Sequence, residues 1–151
     1  MGNVEALLAR MADQRVYLDS NIFVYFLDRN PEYFPVVAPI MQGVESGRIP
    51  GRAGDAALAE VMVKPYRMGD PALIAAIKAF FGAARSLSIL PHDTESFDLA
   101  SQMRARHGMK FLGALHVATA LRAGFRYFLT NDTDFRALDV IEIVAIGALI
   151  A

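Results

Sequence analysis

The stretch VYLDSNIFVYFL, residues 16–27, is decisive for the fold, because a short apolar run ends on an acid and a second apolar run follows at once. The run VYLD, residues 16–19, favours a β-strand, since valine and tyrosine suit a pleated and buried surface. Ser20 or Asn21 can then cap a helix by accepting hydrogen bonds from its first free amides. The stretch therefore predicts a strand, a turn and a helix, with Asp19 at the end of the strand.

The rest of the chain continues this alternation. Strand-like runs lie at 48–53, 87–90, 127–130 and 140–145, and helical patterns lie at 3–14, 55–62, 70–85, 94–107 and 113–123. Pro65 is predicted to end or kink its helix, and the proline-rich residues 28–39 are predicted as a loop or broken helix start before a helix to about Ser46. Short apolar strands separated by helices favour an α/β fold with a parallel sheet covered on both faces.

Composition limits the classes of function. The 151 residues are 54% hydrophobic with a mean hydropathy of +0.31, so we expect one domain over 1–151, with 1–15 adding an N-terminal helix. The net charge of −1 provides no broad basic field, so any nucleic-acid contact must be local. No apolar run has the roughly 20 residues of a membrane span, and no signal-peptide pattern begins the chain. The absence of cysteine excludes thiolate chemistry and fits a cytoplasmic location.

Acidic residues collect where two predicted strands end. Asp19 ends the first strand, and Asp132 and Asp134 lie just beyond the fourth, at the edge where parallel sheets place their functional loops. Glu60 lies inside an apolar helix and needs a partner, because an unpaired buried charge is costly. Gathered carboxylates repel each other unless a divalent ion neutralises them, and Mg²⁺ or Mn²⁺ prefers such oxygen ligands. This chemistry suits phosphodiester hydrolysis.

Each acid also has an ordinary structural interpretation. Asp19 could be only a turn former or helix cap, and TNDTDF, residues 130–135, could form an Asx turn with Asp134 as a helix cap. Glu60 could pair on the helix surface with Lys64, four residues further on.

The histidines and basic residues are more typical of packing or solvent-exposed residues than of metal ligands or RNA-binding residues. His116, a lone histidine on an apolar helix, is more typical of a satisfied packing residue than of a ligand. His92 and His107 look like surface residues. The cluster Arg104, Arg106, His107 and Lys110 is more typical of a solvated helix face than of an RNA track. Tyr33, Phe34 and Tyr66 could stack on RNA bases, although packing is their commoner role.

Four motifs in order make the sequence resemble a PIN domain of the VapC toxin type: VYLDSNIFVYFL, ALAEVMVKP, LGALHVATAL and YFLTNDTDF. The resemblance implies a three-layer α/β/α fold with a five-stranded parallel sheet and Mg²⁺- or Mn²⁺-dependent endoribonuclease activity on RNA. It also implies a homodimer and a cognate antitoxin. Carried over by motif, Asp19 is the first acid, Glu60 the second and Asp132 the fourth, and Asp134 is a further candidate ligand. Asn21 and Thr130 match polar positions that support the acids.

The sequence departs from the family pattern at two positions. The family has its third acid where this chain has Gly113, and it often has serine or threonine where this chain has Gly54. Glycine supplies no side-chain ligand, so we expect weak or undetectable activity. The glycine could have been selected or engineered to inactivate a toxic enzyme, or it could result from natural decay of the toxin. The alternative is a catalytically dead PIN-fold module that only engages an antitoxin or another protein. A phosphoacceptor receiver or an aspartate-based phosphatase fits less well, because the acid pairs that they need after the first strand are missing.

Overall fold

A five-stranded parallel sheet organises the structure, a computed structural model that describes residues 2–83, 88–135 and 141–150. Its strands are β1 (Val16–Leu18), β2 (Gly51–Gly54), β3 (Ser88–Leu90), β4 (Tyr127–Thr130) and β5 (Glu142–Ala145). Its helices are α1 (Asn3–Met11), α2 (Ser20–Leu27), α3 (Phe34–Glu45), α4 (Asp55–Met68), α5 (Pro71–Ala83), α6 (Thr94–His107) and α7 (Phe111–Arg122). None of the described helices is long and apolar enough to cross a bilayer.

The strand order is β3-β2-β1-β4-β5, which places β1 in the centre. All four pairings are parallel, and Tyr17 of β1 lies opposite Phe128 of β4. The carboxyl ends of β1 and β4 are therefore neighbours, so Asp19 and Asp132 follow adjacent strands at one edge. The predicted five-stranded parallel sheet is confirmed.

Hydrophobic residues cover both faces of the sheet. Val16 and Leu18 belong to a core shared with α1 to α5, whereas Tyr17 belongs to a second core with α6 and α7. Because neighbouring residues of a strand point to opposite faces, this division shows that helices pack on both sides. The α/β/α layering is confirmed.

Two expectations about prolines are wrong in part, since the loop does not extend to residue 39 and Pro65 does not end its helix. The segment predicted as a loop is helical from Phe34, with Pro35 in the first turn, where its missing amide has no partner to lose. Pro39 lies inside α3, in a helix held by buried Val36, Val37, Ile40 and Met41. Pro65 does not end α4, which continues to Met68 and stops at Gly69 with a φ of +61°. Pro65 is itself buried, so tertiary packing offsets the lost hydrogen bond in the helix.

The remaining predicted elements are found close to their expected positions. The fourth predicted strand, 127–130, and the helix 94–107 have the predicted bounds, and α7 begins two residues earlier than predicted. Residues 84–87 and 136–140, which include the predicted ends of one helix and two strands, lie outside the described residues.

Candidate active site

An open cleft of about 420 Å³ lies above the carboxyl ends of β1 and β4. Three elements and one loop line it: the β1–α2 junction, α4, the start of α7, and the loop after β4. The lining includes Asp19, Asn21, Glu60, Gly113 and Asp132. The structure therefore brings three predicted acids and the glycine position to one place.

Asp19 is buried at the start of α2, with 6% of its surface exposed. Its Oδ1 accepts a hydrogen bond from the Ser20 amide at 2.8 Å, and its Oδ2 accepts one from Thr130 Oγ1 at 2.8 Å. Burial raises the pKa of this carboxyl, although His116, Thr130 and Ser20 oppose the shift. Asp19 is thus a helix cap, as one interpretation predicted, and it also lies in the cleft.

Thr130, at the end of β4, connects the acids at the strand ends. Its Oγ1 donates to Asp19 and accepts a hydrogen bond from the Asp132 amide at 2.9 Å. Asn21 Nδ2 approaches the same oxygen at 3.4 Å. The two predicted supporting residues therefore contact each other next to Asp19.

The segment after β4 forms the Asx turn that the sequence allowed. Asp132 Oδ1 accepts a hydrogen bond from the Asp134 amide at 2.9 Å, and residues Thr133–Phe135 form one turn of 3₁₀-helix. Asp132 lines the cleft, whereas Asp134 is exposed and is not part of the lining. Asp134 lies inside the short helix, so its predicted role as a cap is wrong.

Glu60 is held from two sides. Its Oε1 lies 2.8 Å from His116 Nε2, and its Oε2 accepts a hydrogen bond from Ser20 Oγ at 2.7 Å. Burial alone would raise the pKa of Glu60, but the bonds from His116 and Ser20 outweigh it, so the pKa lies below its ordinary value. The proposed pair with Lys64 is wrong, because Lys64 lies 3.2 Å from Asp28 instead.

His116 is a buried histidine with both ring nitrogens engaged. Its Nδ1 lies 2.7 Å from the Tyr17 hydroxyl, and its Nε2 faces Glu60. A neutral ring that accepts from Tyr17 and donates to Glu60 satisfies both contacts. The packing interpretation was right about burial, but His116 also fixes the second acid. The contact of Tyr17 with His116 and that of Ser20 with Glu60 were not predicted, because each joins elements distant in sequence.

His92 was predicted as a surface residue, and this was wrong. Its Nδ1 lies 2.6 Å from Thr119 Oγ1, and its Nε2 accepts a hydrogen bond from the Ala56 amide at 3.2 Å. Its ring lies 5.4 Å from that of His116, centre to centre. Burial lowers the pKa of His92, and the proximity of His116 adds to the shift. Thr119 follows His116 by three residues on the same helix face, which is the one local signal that could have indicated this network.

The two glycine departures have different surroundings. A Cβ atom at Gly54 would lie 2.3 Å from the Tyr17 hydroxyl and 2.3 Å from His92 Cε1, so these side chains occupy the space of the family's serine or threonine. A Cβ at Gly113 would lie 2.9 Å from Cζ of the buried Phe135. An acid at position 113 therefore requires a small displacement of the Phe135 ring.

The oxygen donors suit a hard divalent cation. The described ion pairs include no lysine or arginine bound to Asp19, Glu60 or Asp132. In the described ranges, no three histidine, aspartate or glutamate side chains are close enough to hold a metal by themselves. Mg²⁺ commonly uses one or two carboxylates and keeps several waters. The residues fit an ion of this water-rich kind.

The parallel sheet and its helical layers define an α/β/α domain with acids at the carboxyl edge of the sheet. The chain belongs to the PIN domain family, whose model matches residues 16–141. No curated protein sequence matches the chain. Solved structures resemble it at low identity. The toxin–antitoxin complex of Klebsiella pneumoniae is 17% identical with a TM-score of 0.65, covering 87% of this chain and 97% of that one. FitAcB of Neisseria gonorrhoeae is 19% identical with a TM-score of 0.66, covering 89% and 99%.

A third similar structure is VapC20 of Mycobacterium tuberculosis, described as a toxin that cleaves the sarcin-ricin loop. It is 14% identical with a TM-score of 0.66, and the alignment covers 81% of this chain and 93% of that one. At these identities, the three structures support the fold.

Proposed function

We propose that this PIN domain is a metal-dependent endoribonuclease toxin of a VapBC-type toxin–antitoxin system, weakened or inactive because Gly113 replaces the third acid. The observation that carries the proposal is the convergence of Asp19, Glu60 and Asp132 on one cleft, next to Gly113. Nucleases that cleave phosphodiesters with divalent metals need this kind of carboxylate group.

In this proposal, Asp19, Glu60 and Asp132 hold Mg²⁺ or Mn²⁺ partly through bound waters, and the exposed Asp134, outside the cleft lining, stays a further candidate ligand. Such an ion, when bound, supplies a Lewis acid that polarises a phosphate group. Thr130 and Ser20 orient Asp19 and Glu60 by hydrogen bonds. His116 holds Glu60 ionised, so the acid is ready to accept a cation.

The partners in this proposal are an RNA substrate, a cognate antitoxin and a second copy of the chain. The similar structure from Klebsiella pneumoniae is a toxin–antitoxin complex by description, which supports the antitoxin. We infer that the chain acts as one PIN domain in the cytoplasm, with α1 as an addition before residue 16, where the family match begins.

A PIN-fold module that binds a partner without catalysis is the second candidate function. Gly113 favours it, because this residue provides no ligand and the Phe135 ring lies where a side chain at this position would begin. In this case the cleft would keep its shape without needing to bind metal.

Cleavage of RNA separates the two candidates. We expect Gly113→Asp to cleave a mixed single-stranded RNA with Mn²⁺ or Mg²⁺ and to lose this activity in EDTA, while the parent chain and Gly113→Ala cleave at least tenfold more slowly. Gly113→Ala controls for the contact with Phe135, because it adds a Cβ without a carboxylate. If Gly113→Asp folds, binds no metal and cleaves nothing, the binding module is favoured. The double variant Gly113→Asp with Phe135→Leu relieves the crowding at Phe135, so it controls for a steric cause of such a failure.

A further inference from the structure

Three large apolar side chains are exposed next to the acid cleft. Phe97 and Phe111 each have 43% of their surface exposed, and Leu112 has 39%. The Phe97 and Phe111 rings are stacked, with centroids 6.2 Å apart and planes tilted by 23°. Phe111 and Leu112 also line the cleft that contains the acids. Contiguous exposed apolar surface of this kind is typical of an interaction site.

Two cationic side chains lie beside Phe111. The Arg104 guanidinium lies 5.6 Å from the centre of the Phe111 ring, and Lys110 lines the cleft beside Phe111. Arg106 is exposed on the same helix as Arg104. Across the described residues, no ion pair involves Arg104, Arg106 or Lys110. In a chain with a net charge of −1, this is a local positive surface with its charges available to a ligand.

Aromatic rings with neighbouring cations match the chemistry of a single-stranded nucleic acid. Bases stack on aromatic side chains regardless of their identity, and lysine and arginine contact the phosphates between them. A protein partner would also cover apolar surface, but its interface would gain little from the two cations beside the rings that form no ion pair. Because Phe111 and Leu112 line the same cleft as the acids, an RNA strand bound to the rings has a direct path to the acids.

We propose that Phe97 and Phe111, with Arg104 and Lys110, form a base-stacking platform that binds single-stranded RNA and leads it into the acid cleft. This inference rests on the proposed function and specifies how its substrate is held. Bases stack on the exposed surface of the two rings, and Lys110 contacts the phosphate nearest the acids. From the sequence, the basic cluster was interpreted as a solvated helix face. The stacked rings beside it could not be predicted, because Phe97 and Phe111 belong to different helices.

The test is the affinity of the parent chain and its variants for a fluorescent 12-nucleotide single-stranded RNA, measured by anisotropy in EDTA. We expect Phe97→Leu and Phe111→Leu to bind about tenfold more weakly, whereas Phe111→Tyr keeps the ring and binds like the parent. Tyr66→Leu is the matched control: Tyr66 is 55% exposed and has Lys78 5.7 Å from its ring centre, but it lies outside the cleft. This variant should bind within about twofold of the parent.

Salt dependence separates stacking from phosphate contacts. Arg104→Gln and Lys110→Gln should each lower the slope of log affinity against log salt by roughly 0.7, whereas Phe111→Leu should leave it unchanged. The inference is wrong if the parent binds no RNA, or if Phe97→Leu, Phe111→Leu and Tyr66→Leu all bind like the parent. It is also wrong if the phenylalanine variants change the oligomeric state and leave RNA affinity intact, since the rings would then form a protein contact.

Cleavage distinguishes a failure of this inference from a failure of the proposed function. If Gly113→Asp cleaves RNA and the added Phe111→Leu leaves kcat/KM unchanged, the platform is wrong and the nuclease proposal stands. If the phenylalanine variants lose RNA affinity but Gly113→Asp cleaves nothing, the platform stands and the nuclease proposal fails.

Discussion

The Tyr17 hydroxyl connects the centre of the sheet to the candidate site. It lies 2.7 Å from His116 Nδ1, and His116 in turn holds Glu60. Burial raises the pKa of Tyr17 well above its ordinary value, and the nearby Asp19 carboxylate adds to this effect. The phenol therefore stays protonated and available as a donor to His116 throughout the neutral range.

Replacing this hydroxyl should destabilise the protein. Tyr17→Phe leaves a buried nitrogen of His116 without its partner, and we expect the free energy of unfolding to fall by about 1–3 kcal/mol. Urea denaturation measures the change. Tyr66→Phe is the control, because its exposed ring should change stability by less than about 0.5 kcal/mol. Equal stability of Tyr17→Phe and the parent would mean that the contact with His116 contributes nothing.

Gly54 is where the backbone must approach Tyr17 and His92 closely. The Cβ of Gly54→Ala would have to push both side chains away, so we expect a loss of about 1–3 kcal/mol in the free energy of unfolding. Gly82→Ala is the matched control, because Gly82 lies inside α5 and a Cβ at this position would meet no atom within 4 Å. This control should gain up to about 1 kcal/mol from helix propensity. If Gly54→Ala raised the free energy of unfolding as Gly82→Ala does, the crowding at Gly54 would be contradicted.

At the scale of elements, α6 and α7 are joined at their ends by an ion pair. Asp93 caps α6 by accepting a hydrogen bond from the Ser96 amide at 2.9 Å, and Arg122 near the end of α7 donates to Asp93 Oδ2 at 2.6 Å. The hydrogen bonds from Arg122 and Ser96 lower the pKa of Asp93 to about 2. The folded protein therefore prefers the ionised carboxylate.

This pair predicts a pH-dependent difference in stability. Because the folded pKa lies below the unfolded value near 3.9, the stabilisation is present above about pH 4 and is lost as pH falls toward 2. Asp93→Asn keeps an N-capping side chain but loses the charge. The parent should be more stable than Asp93→Asn in urea at pH 7, and the difference between their midpoints should shrink as the pH falls from about 4 toward 2. A constant difference across this range would show that the charge of Asp93 is not responsible.

Local sequence predicts helices better than it predicts where prolines are tolerated. The bounds of α6 were predicted correctly, and in the structure they are set by local signals, the cap Asp93 and the left-handed Gly108. The extents of α3 and α4 were missed, since Pro39 and Pro65 are kept in helices by packing that involves distant elements. Propensity is a weak guide wherever burial decides the outcome.

At the scale of the whole molecule, the predicted parallel sheet indicated that the acids would meet at its carboxyl edge. Asp19 and Asp132 could be paired from the sequence because each follows a strand, and the sheet order makes those strands neighbours. The contacts of Glu60 with His116 and Ser20 could not be predicted, because they depend on how α4 and α7 pack above the sheet. The crowding of Gly54 by Tyr17 and His92 has the same origin.

Direct titration with Mn²⁺ tests the central claim that the three carboxylates form a metal site that lacks one ligand. Calorimetry on the parent, Asp19→Asn and Gly113→Asp compares these sites without requiring RNA or activity. We predict weak binding by the parent, none by Asp19→Asn, and binding at least about tenfold tighter by Gly113→Asp. Identical titrations of the parent and Asp19→Asn, with no gain in Gly113→Asp, would contradict the account.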